Sequence, residues 1–320
     1  MSAADIDAAV AALRRGEVVG MPTETVYGLA ADARNPAAIA CIFATKGRPA
    51  DHPVIVHLRS AACLEDWAVD IPAAARVLAD QFWPGPMTLI LRRRPEVSDA
   101  LTGGQDTIGL RVPAHPIAAE LLRAFGGALA APSANRFGRI SPTTAAHVRE
   151  EFGDAAPIVL DGGASALGLE STIVDLSRGT ARILRPGAIV RSQIEAWIGP
   201  LWEADAESAP RVSGALAAHY APTKPLVLIA AAELDAPPLR PDGDTLWLGL
   251  AHIPEDALGL CLGTDPVRYG HDLYAALREL DARPGARIAV LLPPAGEAWE
   301  AVHDRLARAA AGSGTDNDAP

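Results

Sequence analysis

An α/β or α+β fold with a sizeable twisted sheet, followed by a smaller α/β domain, is what this sequence predicts. Three observations carry that expectation. Short apolar runs of strand length recur through the first 200 residues, with amphipathic helical patterns between them. Several runs follow one another with no helix in between, so strands and helices mix without strictly alternating. Beyond residue 224 the alternation becomes regular.

Residues 3–15 read as a helix, with Ile6, Val10 and Leu13 on one face. Strands are expected at 17–21, 53–58, 87–92, 107–112, 127–131, 157–161, 171–176 and 181–185. Helices are expected near 36–44, 72–82, 116–125, 143–152 and 191–198. Pro142 stands ahead of "TTAAHVREEF", which makes Ser141 or Thr143 the expected N-cap of that helix. Periodicity is lost in "GPLWEADAESAPRVSGALAAHYAP", so the domains divide as 1–200, a linker at 201–223 and a second domain at 224–312. Strands at 225–230, 245–250, 258–262 and 286–292, with helices at 267–281 and 296–311, give that second domain a three-layer, Rossmann-like reading. Leu273, Leu277 and Leu280 share one helical face there, as do Trp299, Val302 and Leu306. The tail 313–320 is expected to be disordered.

Charge is uneven. The net formal charge of −11 argues against tight non-specific binding of nucleic acid by the surface as a whole. Residues 1–200 carry 19 basic and 21 acidic side chains, while 201–320 carry 9 and 18, so a polyanion should meet the N-terminal part. Cys41, Cys63 and Cys261 are isolated, which disfavours a disulfide scaffold or a structural zinc site and suits a reducing cytoplasm. The N-terminus lacks the pattern of a signal peptide, and no apolar stretch approaches membrane-spanning length. A cytoplasmic protein is expected.

Common nucleotide and hydrolase motifs are missing: no G-x-x-x-x-G-K-[ST], no G-x-G-x-x-G after a strand, no G-x-S-x-G and no H-E-x-x-H. Four polar segments nevertheless interrupt or border apolar strands. In "MPTETVYGLAAD" a strand ends at Pro22 and Thr23, Glu24, Thr25 and Tyr27 follow; a capped turn would also explain it. In "ATKGRPADHPVIVHL", Lys46 and Arg48 flank Gly47. The pair suits a phosphate or carboxylate; an exposed basic turn would also explain it, and the fact that only two of the 28 basic residues are lysine weighs against that alternative. In "APSANRFGRISPT", Ser133 and Asn135 sit among small residues that allow close backbone approach, ahead of a helix start suited to an anion; a plain loop would also explain it. In "LDGGASALGLESTIVDL", Gly162 and Gly163 follow one strand and Ser171 starts the next, as either a hairpin or a binding loop. Strand ends are where open α/β sheets gather ligands.

Taken together, the four segments resemble the YrdC-like family. "PTETVYGL", "KGRPADHPVIVH", "PSANRFGRISPT" and "GLESTIVD" occur in the family's order, and "RPG" follows at 185–187. The hallmark is Lys-x-Arg with a later Ser-x-Asn, here Lys46/Arg48 and Ser133/Asn135. The resemblance covers roughly residues 5–200, and "HYAP" at 219–222 with the trailing domain resembles the long, two-domain form. It implies a twisted open mixed sheet with flanking helices.

The resemblance also implies a nucleotidyltransferase that makes L-threonylcarbamoyladenylate from L-threonine, bicarbonate or CO2, and ATP, releasing pyrophosphate. That product serves threonylcarbamoyladenosine formation in tRNA, through downstream threonylcarbamoyl-transferase machinery. Carried over by position, Thr25, His57, Arg111, Ala131 and Ser171 resemble contacts to threonine. Arg48, His52, Thr107, Ser133, Ser141 and Arg185 resemble contacts to ATP, with Lys46 and Asn135 facing the phosphates. Mg2+ is expected through the ATP phosphates, with no side-chain ligands. Many long-form members carry a Ser-Pro-Gly-Met-like run and a Tyr ahead of His-Tyr-Ala-Pro; here the stretch is "RVSGALAAHYAP". The linker is expected to close over the site as a lid, with His219 or Tyr220 near the nucleotide.

Two rival readings come from other classes. An RNA-binding module could use the run Arg92–Arg93–Arg94, giving at least a weak tRNA contact, although the near-neutral first domain opposes strong backbone binding. Carbamoyl transfer to another acceptor is the other, but the zinc-finger-like cysteine motifs of such proteins are missing.

Overall fold

The structure is a computed structural model that describes residues 2–203, 209–230 and 244–314. Contacts divide the chain into two units, Met1–Phe137 with Pro142–Ala215, and Gly138–Ser141 with Leu216–Pro320.

The first unit is built on nine strands: β1 (Val19–Met21), β2 (Gly28–Asp32), β3 (Ile55–His57), β4 (Met87–Arg92), β5 (Thr107–Arg111), β6 (Leu129–Ala130), β7 (Ile158–Val159), β8 (Thr172–Asp175) and β9 (Arg182–Arg185). They lie in the order β7-β1-β2-β6-β3-β5-β4-β8-β9. The pairs β1–β7, β3–β5 and β4–β8 are parallel and the others antiparallel, so the sheet is mixed as expected. Its helices are α1 (Ala3–Arg14), α2 (Pro36–Lys46), α3 (Ala73–Phe82), α4 (Asp99–Thr102), α5 (Pro116–Phe125), α6 (Ala145–Phe152) and α7 (Arg191–Ile198).

Local chemistry sets the helix ends. Asn35 accepts from the Ala37 amide at 3.0 Å ahead of Pro36, and Gly47 ends α2 in the left-handed conformation. The cap of α6 is Thr144, which accepts from the His147 amide at 3.1 Å, so neither Ser141 nor Thr143 has that role. Strand β2 was not expected. Gly-Leu-Ala-Ala-Asp lacks the β-branched and aromatic residues that signal a strand. Small side chains are required there, because a Cβ on Gly28 would lie 3.1 Å from the Cβ of Ala131.

Register decides what each face of the sheet carries. Ile55 lies opposite Gly109, His57 opposite Arg111, Arg92 opposite Thr107, Thr88 opposite Ile173 and Arg185 opposite Ile173. Residues opposite one another share a face. His57, Thr88, Thr107, Arg111 and Arg185 therefore all point to one side. The alternate residues Val56, Leu89, Leu91, Ile108, Leu110 and Val174 point the other way, into a core with Ile39 and Ile42 of α2 and Leu78 of α3. Full burial of each such side chain contributes about 1.5–3 kcal/mol. A second core joins Ile6, Val10 and Leu13 of α1 to Leu121 and Leu122 of α5.

The second unit has four parallel strands, β10 (Leu226–Ile229), β11 (Thr245–Gly249), β12 (Leu258–Cys261) and β13 (Arg287–Leu291), in the order β10-β13-β11-β12. Helix α8 (Pro266–Ala282) is capped by Asp265, which accepts from the Arg268 amide at 2.7 Å. It buries Leu273, Leu277 and Leu280, the face read from the sequence. Helix α9 (Glu300–Gly312) is preceded by a 3-10 turn at Glu297–Trp299, so the helix expected from 296 begins later. Arg305 is fully buried, pairs with Asp304 at 2.5 Å and lies 5.2 Å over the Tyr220 ring. The segment 138–141 belongs here: Gly138 accepts from the Ala221 amide at 2.8 Å, and Arg139 pairs with Asp281 at 3.7 Å. The tail expected at 313–320 lies outside the described residues from 315 onward. Among the described residues no helix is long and apolar enough to cross a membrane.

Gly187 of "RPG" meets backbone on two sides, with Thr172 N at 2.4 Å and Glu170 O at 2.8 Å from an added Cβ. Neither neighbour can swing aside as a side chain would. Gly187→Ala should cost about 1–3 kcal/mol of unfolding free energy, read as a lower urea midpoint.

Candidate active site

The polar side of the large sheet brings together six of the sequence-predicted residues: Thr25, His57, Thr107, Arg111, Ser171 and Arg185. Arg111, 4% exposed, lies at its centre. Its guanidinium donates to Glu24 Oε1 at 2.6 Å, to Thr25 Oγ1 at 2.9 Å and to the Gly85 carbonyl at 3.2 Å. Thr25 is also within 2.9 Å of the Thr23 hydroxyl, which accepts from the Val26 amide at 3.3 Å and so shapes the turn. His57 stands beside Arg111 on the neighbouring strand. Burial, and then the Arg111 charge, push the His57 imidazole down to about 3, so it is neutral at physiological pH. The Ala131 amide donates to the Ile55 carbonyl at 3.0 Å, which fixes the backbone at the end of β6.

Farther along the same face, Ser171 lies 2.7 Å from the Thr88 hydroxyl. Arg185 donates to the Ser171 hydroxyl at 3.1 Å and to its carbonyl at 2.9 Å. Another Arg185 nitrogen donates to the Ser213 carbonyl at 2.8 Å. Residues 211–213 are held by reciprocal bonds with Gln105: the Arg211 amide donates to Oε1 at 2.7 Å, and Nε2 donates to the Arg211 carbonyl at 3.0 Å. Val212 packs on Ile90 and Ile173. Below this strap is a small cavity walled by Ile55, Thr107, Gly109 and Ile173.

The Lys46 group is arranged around Phe137. Lys46 is 2% exposed, and its Nζ reaches the carbonyls of Ser133 and Asn135 at 2.6 and 2.5 Å. Burial, with Arg48 beside it, holds this amine well below the usual lysine range. It joins the end of α2 to the 133–135 loop, a role the reading as a phosphate-facing charge did not include. Arg48 donates to the Pro53 carbonyl at 2.9 Å and lies 5.9 Å over the Phe137 ring. The His52 ring meets the same phenyl edge-on at 5.3 Å, and burial followed by Arg48 lowers its proton affinity. The Asn135 amide donates to the Arg136 carbonyl at 2.7 Å. The loop is tied to β2 through the Leu29 amide, which donates to Pro132 at 2.7 Å, and the Ala134 amide, which donates to Tyr27 at 2.8 Å. Tyr27 in turn donates its hydroxyl to the Gly163 carbonyl at 2.7 Å and accepts from the Gly162 amide at 3.0 Å, fixing the glycine loop.

Thr25, His57, Arg111, Ala131, Ser171, Thr107, Arg185, Lys46, Arg48, His52, Ser133 and Asn135 thus all belong to the first unit. Ser141, His219 and Tyr220 belong to the second. There the His219 and Tyr220 rings meet edge-on at 4.1 Å, and Tyr220 stacks on Tyr274 at 5.7 Å. Sequence reasoning did not select Glu24, Thr88, Gln105 or Phe137 as site residues. Glu24 lies inside a quoted motif, but its partner Arg111 is 87 residues away. A cleft of about 490 Å3 elsewhere in this unit, lined by Arg34, Glu65, Trp67 and Arg94, contains none of the residues expected to contact threonine or ATP.

Two family models match the chain. One, Sua5/YciO/YrdC, described as telomere recombination, covers residues 11–187. The chain belongs to this family. The second, described as threonylcarbamoyl-AMP synthase, C-terminal domain, covers residues 189–311. Among curated relatives of this Sua5/YciO/YrdC chain, threonylcarbamoyl-AMP synthase of Bacillus subtilis is 44% identical over 225 residues, 69% of this chain and 65% of the relative. The protein of the same name from Pyrococcus abyssi is 42% identical over 222 residues, 68% of this chain and 65% of the relative. The matches thus span just under two thirds of those relatives. In three dimensions the chain is similar to P. abyssi Sua5 crystallised with L-threonine, with a TM-score of 0.87 and 34% identity over 96% of this chain and 94% of that one. The similarity carries the mixed sheet and the second, parallel α/β sheet expected from the sequence.

The depressed His57 value has a sign. Neutral His57 is compatible with its site and protonated His57 is not, so its contribution to stability is full above about pH 6.5 and is lost as pH falls toward 3. Over that window stability should fall by up to about 1.4 kcal/mol per pH unit from this group. A His57→Gln variant should lose that part of the slope, and urea midpoints compared from pH 7 to pH 4 measure the difference.

Proposed function

We propose that the chain is a nucleotidyltransferase that makes L-threonylcarbamoyladenylate from L-threonine, bicarbonate or CO2, and ATP, and releases pyrophosphate. The observation that carries this reading is the single buried face on which Arg111, Thr25 and His57 adjoin Ser171 and Arg185. One cluster offers a cation, hydroxyls and a neutral imidazole to an amino acid; Arg185 and Arg48 offer cations to a polyphosphate. The names of the relatives and the threonine complex of the P. abyssi protein support the same reading.

In this reaction the neutral threonine amine forms a bond to the carbon of CO2 and gives up an N–H proton to water, leaving a carbamate. A carbamate oxygen then forms a bond to the α-phosphorus as the bond to pyrophosphate breaks. The chain needs no nucleophile of its own; its residues bind and align two anions whose mutual repulsion must be offset. The carboxylate of threonine suits Arg111, whose guanidinium can grip both oxygens. His57, held neutral, adds a polar group without another charge. Lys46 fixes the loop that carries Ser133 and Asn135. Mg2+ would arrive on the ATP phosphates and offset their charge. Residues 211–213 would act as a lid over the nucleotide, held by Gln105 and Arg185. The product would pass, in the cytoplasm, to the enzymes that modify tRNA.

The RNA-binding alternative loses support from the arginine run. Arg92 pairs with Asp70 at 3.3 Å, Arg93 with Asp99 at 2.6 Å and Arg94 with Glu96 at 3.2 Å, so each charge has a local counterion. Transfer of a carbamoyl group to a different acceptor has no observation in its favour.

Incubation with ATP, Mg2+, threonine and bicarbonate should yield threonylcarbamoyladenylate by mass spectrometry, and pyrophosphate release should require both threonine and bicarbonate. Pyrophosphate released equally without threonine would overturn the proposal. Arg48→Ala and Lys46→Ala should each lower turnover at least about 100-fold while circular dichroism stays native, given that removing one positioned electrostatic group costs 10²–10³ in related chemistry. For the strap, Gln105→Ala should change KM for ATP more than KM for threonine; an unchanged ATP dependence would exclude the lid role.

A further inference from the structure

Glu24 has a place in this site that the reaction chemistry does not by itself assign. It is 8% exposed, and both carboxylate oxygens have partners: Oε1 accepts from Arg111 at 2.6 Å and Oε2 from the Ala114 amide at 3.0 Å. Its own backbone is fixed as well, since the Glu24 carbonyl accepts from the Leu167 amide at 2.8 Å. Glu24 is therefore held at three points. Arg111, held by Glu24, Thr25 and Gly85, has three of its five N–H bonds committed within the described protein, which leaves two.

A carboxylate locked against a guanidinium does two things. It fixes the plane and rotation of the fork, so the uncommitted N–H bonds have one direction. It also cancels the charge, so the cluster gains little from a distant anion and favours one that meets the remaining N–H bonds in the right geometry. We infer that Glu24 is a positioning residue that aims Arg111 at the carboxylate of the amino-acid substrate and sets how strictly that carboxylate is required. This inference rests on the proposed function above.

The test compares wild type, Glu24→Gln and Glu24→Asp in threonine-dependent pyrophosphate release, with L-threonine and with L-threoninamide, which lacks the carboxylate. Glutamine cannot accept at both Arg111 and Ala114, and aspartate is too short to reach both. KM for threonine should rise about 10-fold or more in Glu24→Gln, with KM for ATP within twofold of wild type. The preference for threonine over threoninamide should shrink by a similar factor, and Glu24→Asp should fall between. A threonine KM within twofold of wild type in both variants would overturn the inference. So would equal loss for both substrates with the preference between threonine and threoninamide intact, the outcome of a purely structural role. If Glu24→Gln does not fold, Glu24→Asp carries the same readouts. Wild type that shows no threonine dependence sinks the proposed function instead, so the two failures are distinct.

Discussion

A strand offers its two faces to alternate residues, and in the large sheet one of those faces is claimed by the apolar core. That constraint organises the rest of the first unit. Val56, Leu110, Leu89 and Val174 must point toward α2 and α3, so His57, Arg111, Thr88 and Arg185 must point the other way. A one-residue slip in any of these strands would exchange the two sets. The core thus holds the register, and the register assembles the polar face.

Charged groups on that face are neutralised, tied to backbone, or pushed toward their neutral forms. Arg111 has Glu24, and His57 is uncharged at neutral pH; Lys46, at the end of α2, is likewise held by two carbonyls and has a lowered proton affinity. Breaking such a buried pair on one side leaves the partner unsatisfied, which is generally worse than never having had it.

Much of this was legible in the sequence. Eight of the strands in the first unit follow from short apolar runs, and the four polar segments flank them. What escaped has physical causes. Strand β2 is made of Gly, Leu, Ala and Asp because β6 approaches it closely, and small residues carry no strand signal. Thr144, not Ser141 or Thr143, caps α6, a shift of one position from Thr143 or three from Ser141 that composition cannot resolve. Glu24, Thr88 and Phe137 became visible as site residues only when the fold brought them to partners 83 to 90 residues away. Lys46 stood out by rarity, yet its two carbonyl partners are backbone atoms, which no sequence pattern reports.

The pairing of Arg92, Arg93 and Arg94 with neighbouring carboxylates has a consequence for encounter with ligands. Matched charges on the surface cancel within a few ångströms, so at longer range an approaching polyanion meets the net charge of the molecule, of which residues 1–200, with 19 basic and 21 acidic side chains, carry little and residues 201–320, with 9 and 18, carry most. That field is repulsive and extends about one Debye length, near 8–10 Å at physiological ionic strength. For the proposed nucleotide substrate, added salt would screen that field and speed the approach, the reverse of what is expected when a basic surface steers an anion to its site.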